Sequence, residues 1–159
     1  MNHELKCVLM VDDSPRDVEL TLSALAQNNL ANEVIHLSDG AEALDYLYRR
    51  GEFAERPIGN PAVILLDLKM PRVDGIEVLR QVKSDPLLKL IPVVVLTSSR
   101  EEQDLVTSYQ LGVNAYIVKP VVFQDFVVAV KLLGAFWAVV NEPPPGSVRA
   151  LRNRPEAVK

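Results

Sequence analysis

Carboxylates, a hydroxyl and an amine close four short apolar runs of this chain: Asp12 and Asp13 follow residues 7–11, Asp67 follows 62–66, Thr97 follows 91–96 and Lys119 follows 115–118. Carboxylate oxygens are the hard donors that magnesium takes, with water completing its octahedron. Converging carboxylates repel one another unless a cation sits among them. The carboxylate of Asp67 is also a nucleophile able to accept a phosphoryl group as an aspartyl phosphate. Such a transfer is governed mainly by positioning and electrostatics, and a magnesium ion shared by carboxylate and phosphoryl oxygens would offset the charge. Lys119 would offer a compact ammonium to a phosphoryl oxygen, and Thr97 a hydroxyl donor. Each residue has a plainer reading alone: the acids cap helices, the lysine is solvated, and the threonine hydroxyl serves backbone. Their joint placement at the ends of four runs favours shared chemistry.

The runs are four to six residues long, rich in Val, Ile and Leu, and each leads into a helix-starting sequence. That pattern predicts parallel strands buried on both faces, whose carboxyl ends point one way and border the crevice where ligands bind. After the first run, Ser14 suits an N-cap, Pro15 the first helical position and Asp17 the positive helix end. Val18, Leu22 and Leu25 then recur at helical spacing. Residues 34–37 read as the second strand, and Ser38, Asp39 and Gly40 open a helix bearing Ala43, Leu44 and Leu47. The two prolines and two glycines of 51–61 make that stretch a loop. Pro71, Asp74 and Gly75 form a turn before a helix bearing Ile76, Leu79 and Val82, with Asp74 and Glu77 as its start signal. Ser99 and Glu102 form a capping-box pattern for the next helix, which Gly112 and Asn114 close. The last helix is expected over 122–140, stopped by Pro143, Pro144 and Pro145. Five strand–helix alternations imply an α/β fold, a doubly wound, open, five-stranded parallel sheet with helices on both faces. One domain over 1–142 and a short Pro-rich, basic tail over 143–159 account for the chain.

A hydrophobic share of 48% with ordinary charge content indicates a folded chain, and 159 residues suit one domain. The net charge of −4 gives no support for nucleic acid as a partner. The single cysteine, Cys7, excludes an internal disulfide and reads as a buried, inert thiol. No secretory signal is visible, because the apolar stretch 8–11 is short and meets two aspartates. A cytoplasmic location is the resulting expectation.

The chain resembles the receiver domain of two-component response regulators. The matching segments are Val11-Asp12-Asp13-Ser14, Leu65-Leu66-Asp67-Leu68-Lys69-Met70-Pro71 with Asp74-Gly75, Leu96-Thr97-Ser98, and Ala115-Tyr116-Ile117-Val118-Lys119-Pro120. They agree in order and spacing over about residues 5–140. The resemblance implies the flavodoxin-like strand order 2-1-3-4-5. It also implies that Asp67 accepts a phosphoryl group from a sensor histidine kinase, in a signalling protein rather than an enzyme, with weak self-catalysed phosphorylation and dephosphorylation. Asp12, Asp13, Asp67 and the backbone carbonyl of Lys69 would hold Mg2+. Lys119 would contact the phosphoryl group, small Ser98 would leave room for it, and Thr97 and Tyr116 would form the switch pair. Lys69 and Ser99 occupy positions that tune autodephosphorylation in this family. A cis peptide at Lys119-Pro120 is a further family expectation.

Beyond residue 142 no output domain is expected, so the resemblance points to a stand-alone receiver whose output is an interaction, onward phosphotransfer or a change of assembly. Arg149, Arg152 and Arg154 read as part of a solvated tail. The last helix is apolar around most of its circumference, more than one sheet face can cover. Gln124, Asp125 and Lys131 interrupt the run and argue against a membrane span. The expectation is a homodimer through strand five and this helix, with Phe136, Trp137 and Val140 at the contact. The extended 51–61 stretch and the Phe136-Trp137 helix followed by prolines are similar to small regulators paired with bacterial phytochromes, which would make the donor a bacteriophytochrome kinase. The rival functions are a constitutive, phosphorylation-independent module of the same fold, a phosphorelay intermediate and a phosphatase-like enzyme. The last lacks an apparent second general acid near Asp67 in sequence.

Overall fold

The computed structural model describes residues 7–27 and 33–147. Strands β1 (Cys7–Val11), β2 (Glu33–Leu37), β3 (Val63–Leu66), β4 (Val93–Thr97) and β5 (Ala115–Val118) pair in parallel as one sheet of order β2-β1-β3-β4-β5. The five α-helices α1 (Pro15–Gln27), α2 (Gly40–Tyr48), α3 (Gly75–Ser84), α4 (Glu102–Leu111) and α5 (Phe123–Gly134) connect and follow them. The chain leaves β1 toward β2 and then crosses back to β3, so a crevice opens at the carboxyl ends of β1 and β3, where this topology places ligands.

Alternation along the strands builds two cores. Leu9, Val11, Ile64, Leu66, Val93 and Val95 meet Leu44 and Leu47 of α2 and Val78, Leu79 and Val82 of α3 on one face. Val8, Met10, Val63, Leu65, Val94 and Leu96 meet Val18 of α1 and Leu133 of α5 on the other. Every residue of β1, β3 and β4 is buried, whereas all four residues of β5 and most of β2 are half-exposed. Burial on both faces therefore holds for the three inner strands; the edge strands lack a neighbour on one side and are less fully covered.

Two aspartates start helices as their spacing suggests. Asp74 accepts a bond from the Glu77 amide at 3.0 Å and Asp39 one from the Glu42 amide at 2.9 Å. Asp39 also takes the guanidinium of Arg72, whose Nε lies 3.1 Å away, tying the β2–α2 turn to the loop after β3. Burial resists the charge on Asp39, but the Glu42 amide and Arg72 outweigh it and hold the carboxyl below its ordinary range. A carboxylate lowered by folding stabilises the fold above its unfolded pKa, about 3.9 for Asp, and loses that contribution as pH falls through the folded value. Asp39→Asn should therefore flatten the fall in Tm on acidification below about pH 4. Equal slopes for both proteins in circular-dichroism melts would refute this account.

The 51–61 stretch is ordered from within. The Arg56 guanidinium stacks 4.2 Å from the Tyr46 ring centre and donates to the carbonyls of Tyr46 at 2.6 Å and of Pro57 and Gly59 at 2.9 Å. Asn60 then donates to the Gly146 carbonyl at 3.0 Å and bridges Ser147. With Pro143 buried, residues 143–147 lie back against the domain at Asn60; Arg149, Arg152 and Arg154 lie outside the described residues.

The last helix changes form along its length. α5 ends at Gly134, and Ala135–Val140 continues as a π-helix closed by the Asn141 amide on the Phe136 carbonyl. Phe126, Val130, Leu133 and Ala138 are buried, while Leu132 and Val140 are about 70% exposed and Phe136 is half-exposed. Despite Asp125 and Lys131, Phe123–Val140 is long and apolar enough to cross a membrane by length and composition, with a mean hydropathy of 1.7, a test that the core helix of a soluble domain also passes. One side of this helix is nevertheless committed to the sheet.

Candidate functional site

The parallel ladder runs one residue past β1, β3 and β5 and thereby fixes the backbones that carry Asp12, Asp67 and Lys119. The Asp12 amide donates to the Leu37 carbonyl, the Asp67 amide to the Val11 carbonyl at 2.9 Å, and the Lys119 amide to the Thr97 carbonyl at 2.7 Å. Each backbone is thus held by its neighbour while the side chain projects beyond the sheet. Asp12 is steadied by the Ser14 amide on Oδ1 at 2.9 Å, and its carbonyl by His36 Nε2 at 2.9 Å. Gly75 packs directly beneath the loop after β3, where a Cβ would stand 2.1 Å from the Asp67 carbonyl oxygen.

Asp12, Asp13 and Asp67 converge, each with a carboxylate oxygen within 4.8 Å of the others. Lys119, 7% exposed, reaches Asp12 Oδ2 at 2.7 Å, Asp17 Oδ2 at 2.9 Å and Asp67 Oδ2 at 3.4 Å. Burial disfavours the ammonium, but the bonds to Asp12 and Asp17 and the charge of Asp67 more than offset it, so its pKa lies above the ordinary lysine value. Burial raises the Asp12 carboxyl, and Lys119 counters part of that rise. Thr97 Oγ1, fully buried, donates to Asp67 Oδ1 at 2.8 Å. The carboxylate expected to act as nucleophile is therefore flanked by a hydroxyl and an ammonium, beside two further carboxylates. Hard oxygen donors in that number suit a divalent cation such as Mg2+.

The remaining expected residues surround this cluster in different ways. Ser98 is exposed and Ser99 buried. Lys69 is an exposed residue whose amide reaches Asp67 Oδ1 at 3.3 Å, and its ammonium pairs with Asp104 at 3.2 Å and Glu101 at 3.9 Å on the start of α4. The capping-box expectation fails: Ser99 donates to Asp104 Oδ2 at 2.6 Å, and α4 starts at Glu102 with no side-chain cap. The Ser99 hydroxyl and then Lys69 hold the Asp104 carboxyl below its usual range. The Tyr116 hydroxyl donates to the Ser99 carbonyl at 3.1 Å. The Lys119-Pro120 peptide is trans, against the expectation of a cis bond. Trans is the lower-energy form even before proline, and with it the Lys119 amide and ammonium both reach their partners. Phe136, Trp137 and Val140 belong to the π-helical segment, which continues the helix packed on the opposite core.

Asp17 and Asp104 are contacts that reading the sequence for strand ends misses. Asp17 reads there only as a favourable charge at a helix start. Its signal is the five-residue spacing from Asp12 across a tight Ser-Pro turn, which brings the first turn of α1 over the β1 end. Asp104 carries no comparable signal, because its role depends on how α4 enters.

Residues 8–131 match the model of the response regulator receiver domain. The chain is 42% identical over 132 residues to the response regulator Rcp1 of Synechocystis sp., covering 83% of this chain and 88% of that one. A solved structure of the Mn2+-bound form of Rcp1 superposes with a TM-score of 0.83 at 40% identity, over 87% of this chain and 99% of that one. The phosphorylated cyanobacterial phytochrome response regulator RcpA gives a TM-score of 0.83 at 42% identity, covering 88% and 99% of the two chains. The bacteriophytochrome response regulator RtBRR is 64% identical, with a TM-score of 0.71 over 90% of this chain and 86% of that one.

Proposed function

This chain belongs to the response regulator receiver domain family, and on that premise we propose that it is a phosphorylation switch in which Asp67 is the phosphoacceptor. The observation that carries the reading is the convergence of Asp12, Asp13 and Asp67 with Lys119 and Thr97 at one sheet edge. A carboxylate oxygen of Asp67 would form the new P–O bond as the P–N bond to a donor histidine breaks, the electron pair leaving with the imidazole. The donor is a sensor histidine kinase, and likeness to RcpA and RtBRR favours a bacteriophytochrome kinase in the cytoplasm. Asp12, Asp13 and Asp67, with the Lys69 carbonyl, would hold Mg2+, which when bound neutralises charge on the reacting oxygens; Rcp1 has been seen with Mn2+. Thr97 and Lys119 orient Asp67 and would meet the phosphoryl oxygens, with space beside exposed Ser98. The Tyr116 hydroxyl on Ser99 links that event to β5, and the added charge would bias the loop after β4. Weak self-catalysed turnover fits Lys69 and Ser99 flanking the site. Incubation with Mg2+ and a small phosphoryl donor, then with candidate kinases, tests the reading through a base-labile phosphoryl group on Asp67.

The output is a homodimer surface made by β5, α5 and the π-helical segment. Leu132, Phe136 and Val140 leave more apolar area exposed there than one sheet contact can cover, and Phe136 stacks edge-to-face on Trp137 at 5.0 Å. Wild type should sediment as a dimer, and Trp137→Glu and the more exposed Phe136→Glu as monomers. A monomer mass for wild type removes this surface from consideration.

A further inference from the structure

We propose that Asp17 is a positioning residue for the Asp12, Asp13 and Asp67 site: it is the anchor that keeps the Lys119 ammonium when a divalent cation takes Asp12 and Asp67, and it thereby raises the affinity for that cation. The inference rests on the reading of those three aspartates as the cation site. An ammonium has three donors, and those of Lys119 are divided among Asp12 at 2.7 Å, Asp17 at 2.9 Å and Asp67 at 3.4 Å. Two of these partners belong to the converging trio, so an arriving cation and the ammonium contend for the same carboxylates and repel each other. Lys119 is buried, and a buried charge stripped of partners costs several kcal/mol. Asp17 alone among its three partners stands outside the trio.

The position of Asp17 suits that task. Its amide lies 3.4 Å from the Ser14 hydroxyl and its carbonyl accepts the Thr21 hydroxyl at 2.7 Å, so the first turn of α1 fixes its backbone. Its side chain is 27% exposed, so it keeps part of its hydration while bonding the lysine. Replacement by asparagine keeps the shape and removes the charge. The ammonium is then left to Asp12 and Asp67, where it competes with the cation.

Calorimetric titration of the full chain with MgCl2 provides the test. Asp17→Asn should weaken Mg2+ binding about tenfold. Glu19→Gln, the same charge change at an exposed position of α1, should move it less than about twofold. In a Lys119→Met background the Asp17→Asn effect should largely vanish, because the two residues act as a pair. Unchanged affinity in Asp17→Asn, equal losses in the Asp17 and Glu19 variants, or a loss that persists without the lysine each overturns the proposal. The Asp17 and Glu19 comparison stands even if the lysine variant fails to fold. Absence of Mg2+ binding by wild type sinks the cation-site reading itself and this inference with it, a result distinct from an Asp17 variant that binds like wild type.

Discussion

Wild type should acquire a base-labile phosphoryl group from a small phosphoryl donor with Mg2+, and Asp67→Asn should abolish it. The amide has nearly the shape of the carboxylate, so the bond from Thr97 at 2.8 Å can persist and the fold should remain. What disappears is an anionic oxygen able to form the P–O bond. Loss of a nucleophile removes the covalent step itself, so the expected labelling falls to background rather than by a modest factor. Asp12 and Asp13 are further carboxylates in the same cluster, and they serve as internal controls for misplaced chemistry. Labelling of Asp67→Asn at the wild-type level, or of wild type at a residue other than Asp67, would remove the assignment. Mass spectrometry of the intact protein before and after mild base reads both outcomes.

Gly75→Ala carries the other large effect, because it acts on fold and site through the same atoms. The new Cβ would stand 2.1 Å from the Asp67 carbonyl oxygen, 2.6 Å from Leu68 Cα and 2.9 Å from the Asp67 carbonyl carbon. These are backbone atoms, so no side chain can swing aside, and the loop carrying Asp67 must shift. Overpacking of this kind costs roughly 1–3 kcal/mol. A displacement of about 1 Å at a reacting group costs on the order of a hundredfold in rate. The variant should therefore melt lower and acquire phosphoryl far more slowly while still folded. Val130→Ala, a truncation at a buried site of α5, should lower Tm without a comparable loss. Equal labelling rates in the Gly75 and Val130 variants would break the link between this glycine and the position of Asp67.

Why some of this architecture is readable in the chain and some is not follows from how local the determinants are. Asp12, Asp67 and Lys119 sit one residue beyond the apolar strands β1, β3 and β5, and apolar runs mark strand ends directly, so their shared edge is apparent before any coordinates. Asp74 and Gly112 end or start helices through contacts within a few residues, and they do so as their spacing suggests. The strand order is different: periodicity shows five strands but no neighbours, and only the family likeness supplies 2-1-3-4-5. Partners chosen by helix packing are hidden for the same reason. Asp17 faces Lys119 because of the angle at which α1 leaves its turn, and Ser99 takes Asp104 instead of capping through Glu102 because α4 starts later than the pattern suggests. The π-helical turn at Ala135–Val140 and the inward guanidinium of Arg56 likewise have no local signature, since tertiary packing selects each.

Asp12 and Lys119 bond across 107 residues of chain, and that separation sets a rule for biosynthesis. A ribosome must release most of the domain before β5 can add to the sheet and deliver the ammonium, because non-local parallel pairing waits on its last participants. A nascent or truncated chain lacking β5 would carry all three site aspartates with no lysine to balance them. On the proposed role of Asp67 as phosphoacceptor, the edge that would take the phosphoryl group is therefore completed late, once β5 has joined the sheet.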